Sequence, residues 1–353
     1  MTDQQNTKSL CNTCYGVIPA VANPFGESPP VLYKVCPVHG IQRATIEADG
    51  EFYNRFNTYE RNNHYPILII NVTDRCNIQC PHCFYPIKNQ WDMSLEEFQR
   101  VVNHFRGDFT GFIISGGDPT CWAHYFEAAE WCREQGVTLS QLTNGVKFAD
   151  PDFMERVVAA YGHGEFLAAE MSVHPVGYNS PEVRAKQLIA LQALRDRGLR
   201  ATCIMMNVAP ASSSAFKTDA IMREVVDFMQ EWRDVAATFR IRPICFGWAA
   251  TKKPILFLSH LVKSLRRVTD ERGLSMEYSH AKDIDNIYNN NFTVDGIDVV
   301  TVCAAPTVEN IDIGYLQRGP WMLANDGVPY TVPHALLVNQ GISAGWYRGN
   351  RCP

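Results

Sequence analysis

Pro66-Ile-Leu-Ile-Ile-Asn-Val-Thr-Asp-Arg-Cys76-Asn-Ile-Gln-Cys80-Pro-His-Cys83-Phe84 sets a short apolar run directly against a cysteine-rich loop. The run 66–72 has the length of a strand and falls far short of a membrane span. The three cysteines follow at the spacing C-x3-C-x2-C. Thiolates so placed fill three of the four iron positions of a cubane [4Fe–4S] cluster and leave the fourth iron open. An open iron beside a low-potential cluster suits reductive cleavage of a sulfonium, which can chelate the metal while an electron enters its C–S bond.

Downstream of this loop the chain alternates strand and helix. Ser94-Leu-Glu-Glu97 is a capping box, with Leu95, Phe98, Val101, Val102 and Phe105 at helical spacing behind it. A strand is expected over 109–114, a helix from about 122 to 136, and a strand over 137–142 that ends in Thr143-Asn144-Gly145. Asp150-Pro151 and Ser180-Pro181 are each a cap followed by proline at the first helical position. Strands over 166–173, 200–207 and 236–244 and helices over 218–232 and 257–273 complete six βα units. Repeated units of this kind imply an α/β fold with a parallel sheet, open or closed as a barrel.

One unit beyond the cysteine loop stands Ile114-Ser115-Gly116-Gly117-Asp118-Pro119-Thr120. Its two glycines let a ligand or another backbone approach closely. The cysteine spacing and the glycine segment together resemble the radical S-adenosylmethionine (SAM) superfamily over roughly residues 65–250. The resemblance implies a partial (β/α)6 barrel, a cluster on Cys76, Cys80 and Cys83, and a methionine-binding segment at Gly116, Gly117, Asp118 and Pro119. The family usually has Glu where this chain has Asp118. Further SAM contacts are expected at the C-terminal ends of later strands, at Asn144, Ser172, His174, Asn207 and Arg242. Met171-Ser-Val-His174 resembles the polar segment on the family's fourth strand.

Residues 1–62 look separate, being rich in Pro, Gly, Asn and Cys, with short β-type runs over 31–35 and 42–46. Cys11-Asn-Thr-Cys14 and Cys36-Pro-Val-His39-Gly40 form two knuckles that suit a tetrahedral Cys3His site. Zinc is the default there; mononuclear iron and an extra iron–sulfur cluster stay open. A segment with so little core needs such a staple. With the loop Thr73–Phe84, these knuckles resemble the archaeal tetraether lipid synthase group, formerly read as pterin methyltransferases. That group carries auxiliary-cluster cysteines between the two regions, whereas this chain has none between Cys36 and Cys76 and is shorter. Coupling of lipids through an auxiliary cluster is therefore disfavoured.

The expected organisation is a metal-binding module over 1–62, the partial barrel over 63–273, and an irregular extension over 274–353 covering the active site. Among the 12 cysteines, Cys121, Cys132, Cys203 and Cys245 read as core residues. Cys303, Tyr315 and Tyr330 are candidate hydrogen donors to a substrate radical. A net charge of -5 without long single-sign runs gives no support to a nucleic-acid partner. No apolar segment reads as a signal peptide or a span, so a cytoplasmic protein is expected, and its thiols then point to metal rather than disulfides. The functional expectation is an enzyme that cleaves SAM to a 5′-deoxyadenosyl radical, using an external electron donor such as flavodoxin or ferredoxin. That radical would remove hydrogen from a small metabolite, with lipid, pterin or peptide substrates as alternatives. A non-catalytic zinc scaffold is the rival of another class.

Overall fold

In the computed structural model the described residues are 5–14, 16–57, 67–80, 83, 91–208, 215–243, 256–278, 289–302, 321–323 and 329–331. Strands β1 (Gln5–Leu10), β2 (Val17–Ala22), β3 (Val31–Cys36) and β4 (Gly40–Thr45) form an antiparallel sheet in sequence order, followed by α1 (Gly50–Asn57). The β1–β2 and β3–β4 turns of this sheet carry the two Cys/His knuckles. Its buried apolar side chains are few, chiefly Leu10, Ile18, Ala20, Ala22 and Leu32, so packing alone gives it little stability.

The second sheet begins with β5 (Ile67–Thr73), α2 (Leu95–Phe105), β6 (Gly111–Gly116), α3 (Tyr125–Glu134), β7 (Leu139–Thr143) and α4 (Pro151–Tyr161). A two-residue strand β8 (Gly162–His163) precedes β9 (Phe166–Ser172), α5 (Pro181–Asp196), β10 (Arg200–Val208), α6 (Ala215–Glu231), β11 (Phe239–Pro243) and α7 (Leu258–Glu271). The six expected βα units are all present. The caps read from the sequence hold as well: Ser94 accepts from the amide of Glu97, Asp150 from those of Asp152 and Phe153, and Ser180 from that of Val183.

Strands β5, β6, β7, β9, β10 and β11 are parallel neighbours in that order. Their residues alternate in direction. Leu68, Ile70, Phe112, Ile114, Met171, Ile204, Phe239 and Ile241 join the core under the helices. The intervening residues, among them Asn71, Ser115, Glu170, Ser172, Arg240 and Arg242, therefore line the opposite face.

Residues 274–353 differ from the irregular cover read in the sequence. Their described parts form β12 (Met276–Tyr278), β13 (Asn289–Val294), β14 (Ile297–Val302), β15 (Trp321–Leu323) and β16 (Pro329–Thr331). Strand β14 pairs parallel with β11 and β15 parallel with β5, so this segment extends both edges of the sheet. The strands escaped notice because they are short and their Asn- and Gly-rich flanks read as loop.

The two sheets are joined at α7, whose first turn lacks a side-chain cap of its own. The Glu47 carboxylate supplies one, accepting from the Ser259 hydroxyl at 2.5 Å and the Ser259 amide at 3.4 Å. Asp49 pairs with Lys263 one turn on. Burial pushes the Glu47 carboxyl above its ordinary value, against the pull of its donors. A raised carboxyl binds its proton more tightly folded than unfolded. Its contribution is therefore fully present below the ordinary glutamate range and is lost as pH rises through the raised value. Glu47→Ala should cost about 1–3 kcal/mol by leaving the Ser259 donors buried and unpaired. Glu47→Gln should flatten the pH dependence of thermal unfolding above the ordinary glutamate range. An unchanged melting curve and pH profile in both variants would contradict this role.

Candidate active site and metal centre

The cysteine loop leaves the end of β5 and is held by its return segment. Asp74 and Trp91 exchange backbone and side-chain hydrogen bonds, Met93 donates to the Val72 carbonyl, and Asp92 receives both the Thr73 hydroxyl at 2.5 Å and the Arg75 guanidinium at 3.0 Å. Cys76 and Cys80 are half-buried and Cys83 is exposed. The Cys83 amide donates to the Cys80 carbonyl at 3.0 Å, which turns the chain so that the last two thiols share one bend.

Burial, then the nearby negative charges of Asp118, Cys121 and Cys80, pushes the Cys76 thiol up to about 12. Burial and the neighbouring Cys83 push Cys80 to about 11. Thiols gathered in a partly desolvated place beside an acid form thiolates poorly unless a cation joins them, and bound iron supplies that charge. The donor set thus fits a cluster bound through Cys76, Cys80 and Cys83.

The glycine segment lies against this loop backbone to backbone. Gly117 donates its amide to the Thr73 carbonyl at 2.9 Å, and Asp118 donates its own to the Arg75 carbonyl at 2.7 Å. Gly116 has φ +140°, and a Cβ there would stand 2.1 Å from the Thr73 oxygen. A Cβ on Gly117 would stand 2.1 Å from the Arg75 oxygen. The glycines therefore give the cysteine loop its close seat.

Asp118 is fully buried. Its carboxylate accepts from the amide and hydroxyl of Thr120, the hydroxyl of Thr143 and the amide of Asn144. Pro119 opens a short 3-10 turn capped by the same carboxylate.

The other expected contacts gather in two places. Asn144 sits beside Cys76, with its side-chain amide 3.7 Å from the sulfur. His174, Asn207 and Arg242 form a network across the ends of β9, β10 and β11: the Asn207 amide donates to His174 Nδ1 at 3.2 Å, and Arg242 Nε to Asn207 Oδ1 at 2.5 Å. The half-buried Ser172 lies between them. Gln187 of α5, which the sequence reading passed over, donates to the carbonyls of both Asn144 and Ser172. The available signal was a polar residue on the apolar stripe of α5 that continues through Ala190, Leu191 and Leu194.

Cys121 was read as a core residue. It is half-buried, accepts from the Asn77 amide, and is close enough to Cys76 to raise its pKa. Cys132 and Cys203 are buried as expected. Cys245, Cys303 and Tyr315 lie outside the described residues, and Tyr330 falls on β16.

In the first sheet, the ligand atoms of Cys11, Cys14, Cys36 and His39 all lie within 4.8 Å of one another. His39 Nδ1 is 3.4 Å from the sulfurs of both Cys11 and Cys36. This compactness fits a single tetrahedral ion. Burial alone would raise the Cys11 thiol, but donors from the backbone of Cys14 and Thr13 and from Gln42 bring it to about 5, ready to ligate.

A family model described as the radical SAM superfamily matches residues 70–212. The chain is 27% identical to a 7,8-dihydro-6-hydroxymethylpterin dimethyltransferase of Methanocaldococcus jannaschii over 44% of this chain and 37% of that protein. It is 37% identical to a GTP 3′,8-cyclase of Actinobacillus pleuropneumoniae over 24% of each. The matches thus span well under two-thirds of these relatives. Among solved structures, SuiB of Streptococcus suis bound to the precursor peptide SuiA superposes with a TM-score of 0.51 at 13% identity, covering 78% of this chain and 61% of that one. That likeness is one of fold. No helix among the described residues is long and apolar enough to cross a membrane. With its three-cysteine loop seated on a glycine turn at the ends of adjacent parallel strands, the segment 70–212 is the part of the chain that matches the radical SAM superfamily.

Proposed function

We propose that the chain reductively cleaves SAM at a [4Fe–4S] cluster held by Cys76, Cys80 and Cys83, and that the resulting 5′-deoxyadenosyl radical removes hydrogen from an unactivated carbon of a small metabolite. The seating of the cysteine loop on Gly116–Asp118 carries this reading, because it ties the cluster ligands to the segment expected to meet the methionine end of SAM. The bound cluster would supply the electron, and the open iron the chelation, that C–S cleavage needs. The protein holds the loop through Thr73, Asp92 and Asp118. His174, Asn207 and Arg242 offer polar groups at the strand ends where the ribose and carboxylate would lie, and the core under the sheet keeps water from one side.

A small polar substrate is favoured by the sheet's lined face. Glu170 and Arg240 pair there at 2.5 Å, a poor surface for an alkyl chain. The relatives named for a pterin and for GTP support the same class, and the peptide-bound SuiB keeps a peptide as the alternative. In this reading residues 1–62 are a metal-stapled module holding zinc or mononuclear iron, and a cytosolic flavodoxin or ferredoxin supplies electrons.

The test is anaerobic reconstitution with SAM and dithionite. The expected result is a brown protein with about four irons in the cluster and formation of 5′-deoxyadenosine, enhanced by a metabolite extract. Colourless protein containing zinc and no iron after reconstitution would instead establish the zinc-scaffold reading. Metal analysis of the same preparation should show about one further zinc or iron atom per chain, lost in Cys36→Ser.

A further inference from the structure

Every polar atom of Asn144 is engaged by protein. Its amide donates to Asp118 Oδ2 at 2.7 Å, and its carbonyl accepts from Gln187 Nε2 at 2.9 Å. Its side-chain oxygen accepts from the Val146 amide at 2.9 Å. Its side-chain nitrogen donates to Asn77 Oδ1 at 2.7 Å and lies 3.7 Å from Cys76 Sγ. The residue is 8% exposed. A side chain fixed at both ends in this way has no rotamer freedom left for ordering when a ligand arrives.

What fixes it is the Asp118 carboxylate. That group is one glycine away from the turn that seats the cysteine loop, and it grips Thr143 and Asn144 at the end of β7. Asp118 thus ties three neighbouring strand ends together, its carboxylate reaching the end of β7 and its backbone amide the Arg75 carbonyl beyond β5. From this scaffold the Asn144 side-chain nitrogen is aimed at the first cysteine of the loop, and Asn77, whose Oδ1 accepts from the same nitrogen, is held beside it.

We propose that Asn144 is a positioning residue for the cluster: clasped by Asp118, it directs an N–H···S hydrogen bond to Cys76 that raises the cluster's reduction potential. The inference rests on the cluster assignment made above. A donor to a ligating sulfur stabilises the more negative, reduced form, and so eases electron entry. The bond is long, but it lies in a half-buried site where the effective dielectric is low.

The experiment compares wild type with Asn144→Ala and Asn77→Ala after identical anaerobic reconstitution, without SAM. Iron and sulfide content are measured first, then the midpoint potential by titration followed by electron paramagnetic resonance. With full iron content, Asn144→Ala is expected to have a more negative midpoint. At the wild-type midpoint its reduced-to-oxidised ratio should be roughly 3- to 10-fold lower, the loss of one hydrogen bond. Asn77→Ala removes the competing acceptor, so its ratio should be equal to or above that of wild type.

An Asn144→Ala midpoint equal to wild type would overturn the proposal. So would an equal fall in Asn77→Ala, which would assign the effect to loop geometry instead. Should Asn144→Ala fail to load iron, Asn144→Asp is read in its place, since it keeps the size and the acceptor for Val146. A midpoint no lower than wild type in that variant would likewise overturn the proposal. Wild-type protein that takes up no [4Fe–4S] cluster is a separate outcome, which refutes the functional reading itself.

Discussion

Cys76→Ala is expected to leave a folded protein that holds no stable four-iron cluster and forms no 5′-deoxyadenosine above background. The reason lies in ligand number. Three protein thiolates are what the loop offers, and each loss leaves a second iron without a protein ligand. The effect on the fold should be small, because Cys76 is half-buried in a loop whose geometry is set elsewhere, by Thr73, Asp92 and the glycine seat. The control is Cys121→Ser. That thiol lies close to Cys76 and is half-buried, yet it belongs to the 3-10 turn after Pro119 rather than to the C-x3-C-x2-C loop. It should retain about four irons in the cluster. Iron and sulfide content, visible absorption and product formation read both variants. A Cys76→Ala protein with wild-type iron content and turnover would remove Cys76 from the ligand set, and a Cys121→Ser protein that lost its iron would bring Cys121 into it.

This contrast also marks what a sequence can and cannot disclose. The six βα units were legible because their helices are signalled twice, by apolar periodicity and by caps such as Ser94, Asp150 and Ser180 whose hydrogen bonds are local. The three cysteines proposed to hold the cluster stood out because their spacing is a local pattern. Asp118 stood out on the glycine turn, but its partners Thr143 and Asn144 stand 25 and 26 residues away. A contact of that kind leaves no local pattern. The same holds for Gln187, which reaches the site from the interior of a helix, and for Glu47, which caps a helix 212 residues further on. The C-terminal strands were missed for a different reason: β14 and β15 pair with the two edges of the parallel sheet and β12, β13 and β16 add onto them, so none needs much length or periodicity of its own. The Cys11/Cys36 knuckles show the opposite case, where two local turns announce a site that the hairpin register then assembles.

The glycine seat permits a sharper test of how the site is built. Gly117→Ala is expected to lose most of its iron and about 3 kcal/mol of stability, although it adds a single methyl group. The added Cβ would fall 2.1 Å from the Arg75 carbonyl oxygen and 2.5 Å from its carbon. Flexible side chains can yield to such a contact, but these are backbone atoms already fixed from both sides. The Arg75 oxygen accepts from the Asp118 amide and the Thr73 oxygen from the Gly117 amide, so moving either strand breaks a buried hydrogen bond. The cost is steric rather than conformational, which distinguishes this position from Gly116, where a positive φ of +140° adds strain of its own. Gly111→Ala at the start of β6, the strand that leads into Gly117, is the matched control, because the nearest atom to its Cβ is 3.9 Å away, an ordinary contact. It should keep full iron content and a wild-type melting temperature. Because the Gly117 methyl meets the residue immediately before Cys76, relief of the clash must displace Cys76, the first of the proposed cluster ligands. Iron loss and destabilisation are therefore expected together, and a Gly117→Ala protein that unfolded like wild type with its iron intact would show that the glycine turn does not seat the cysteine loop.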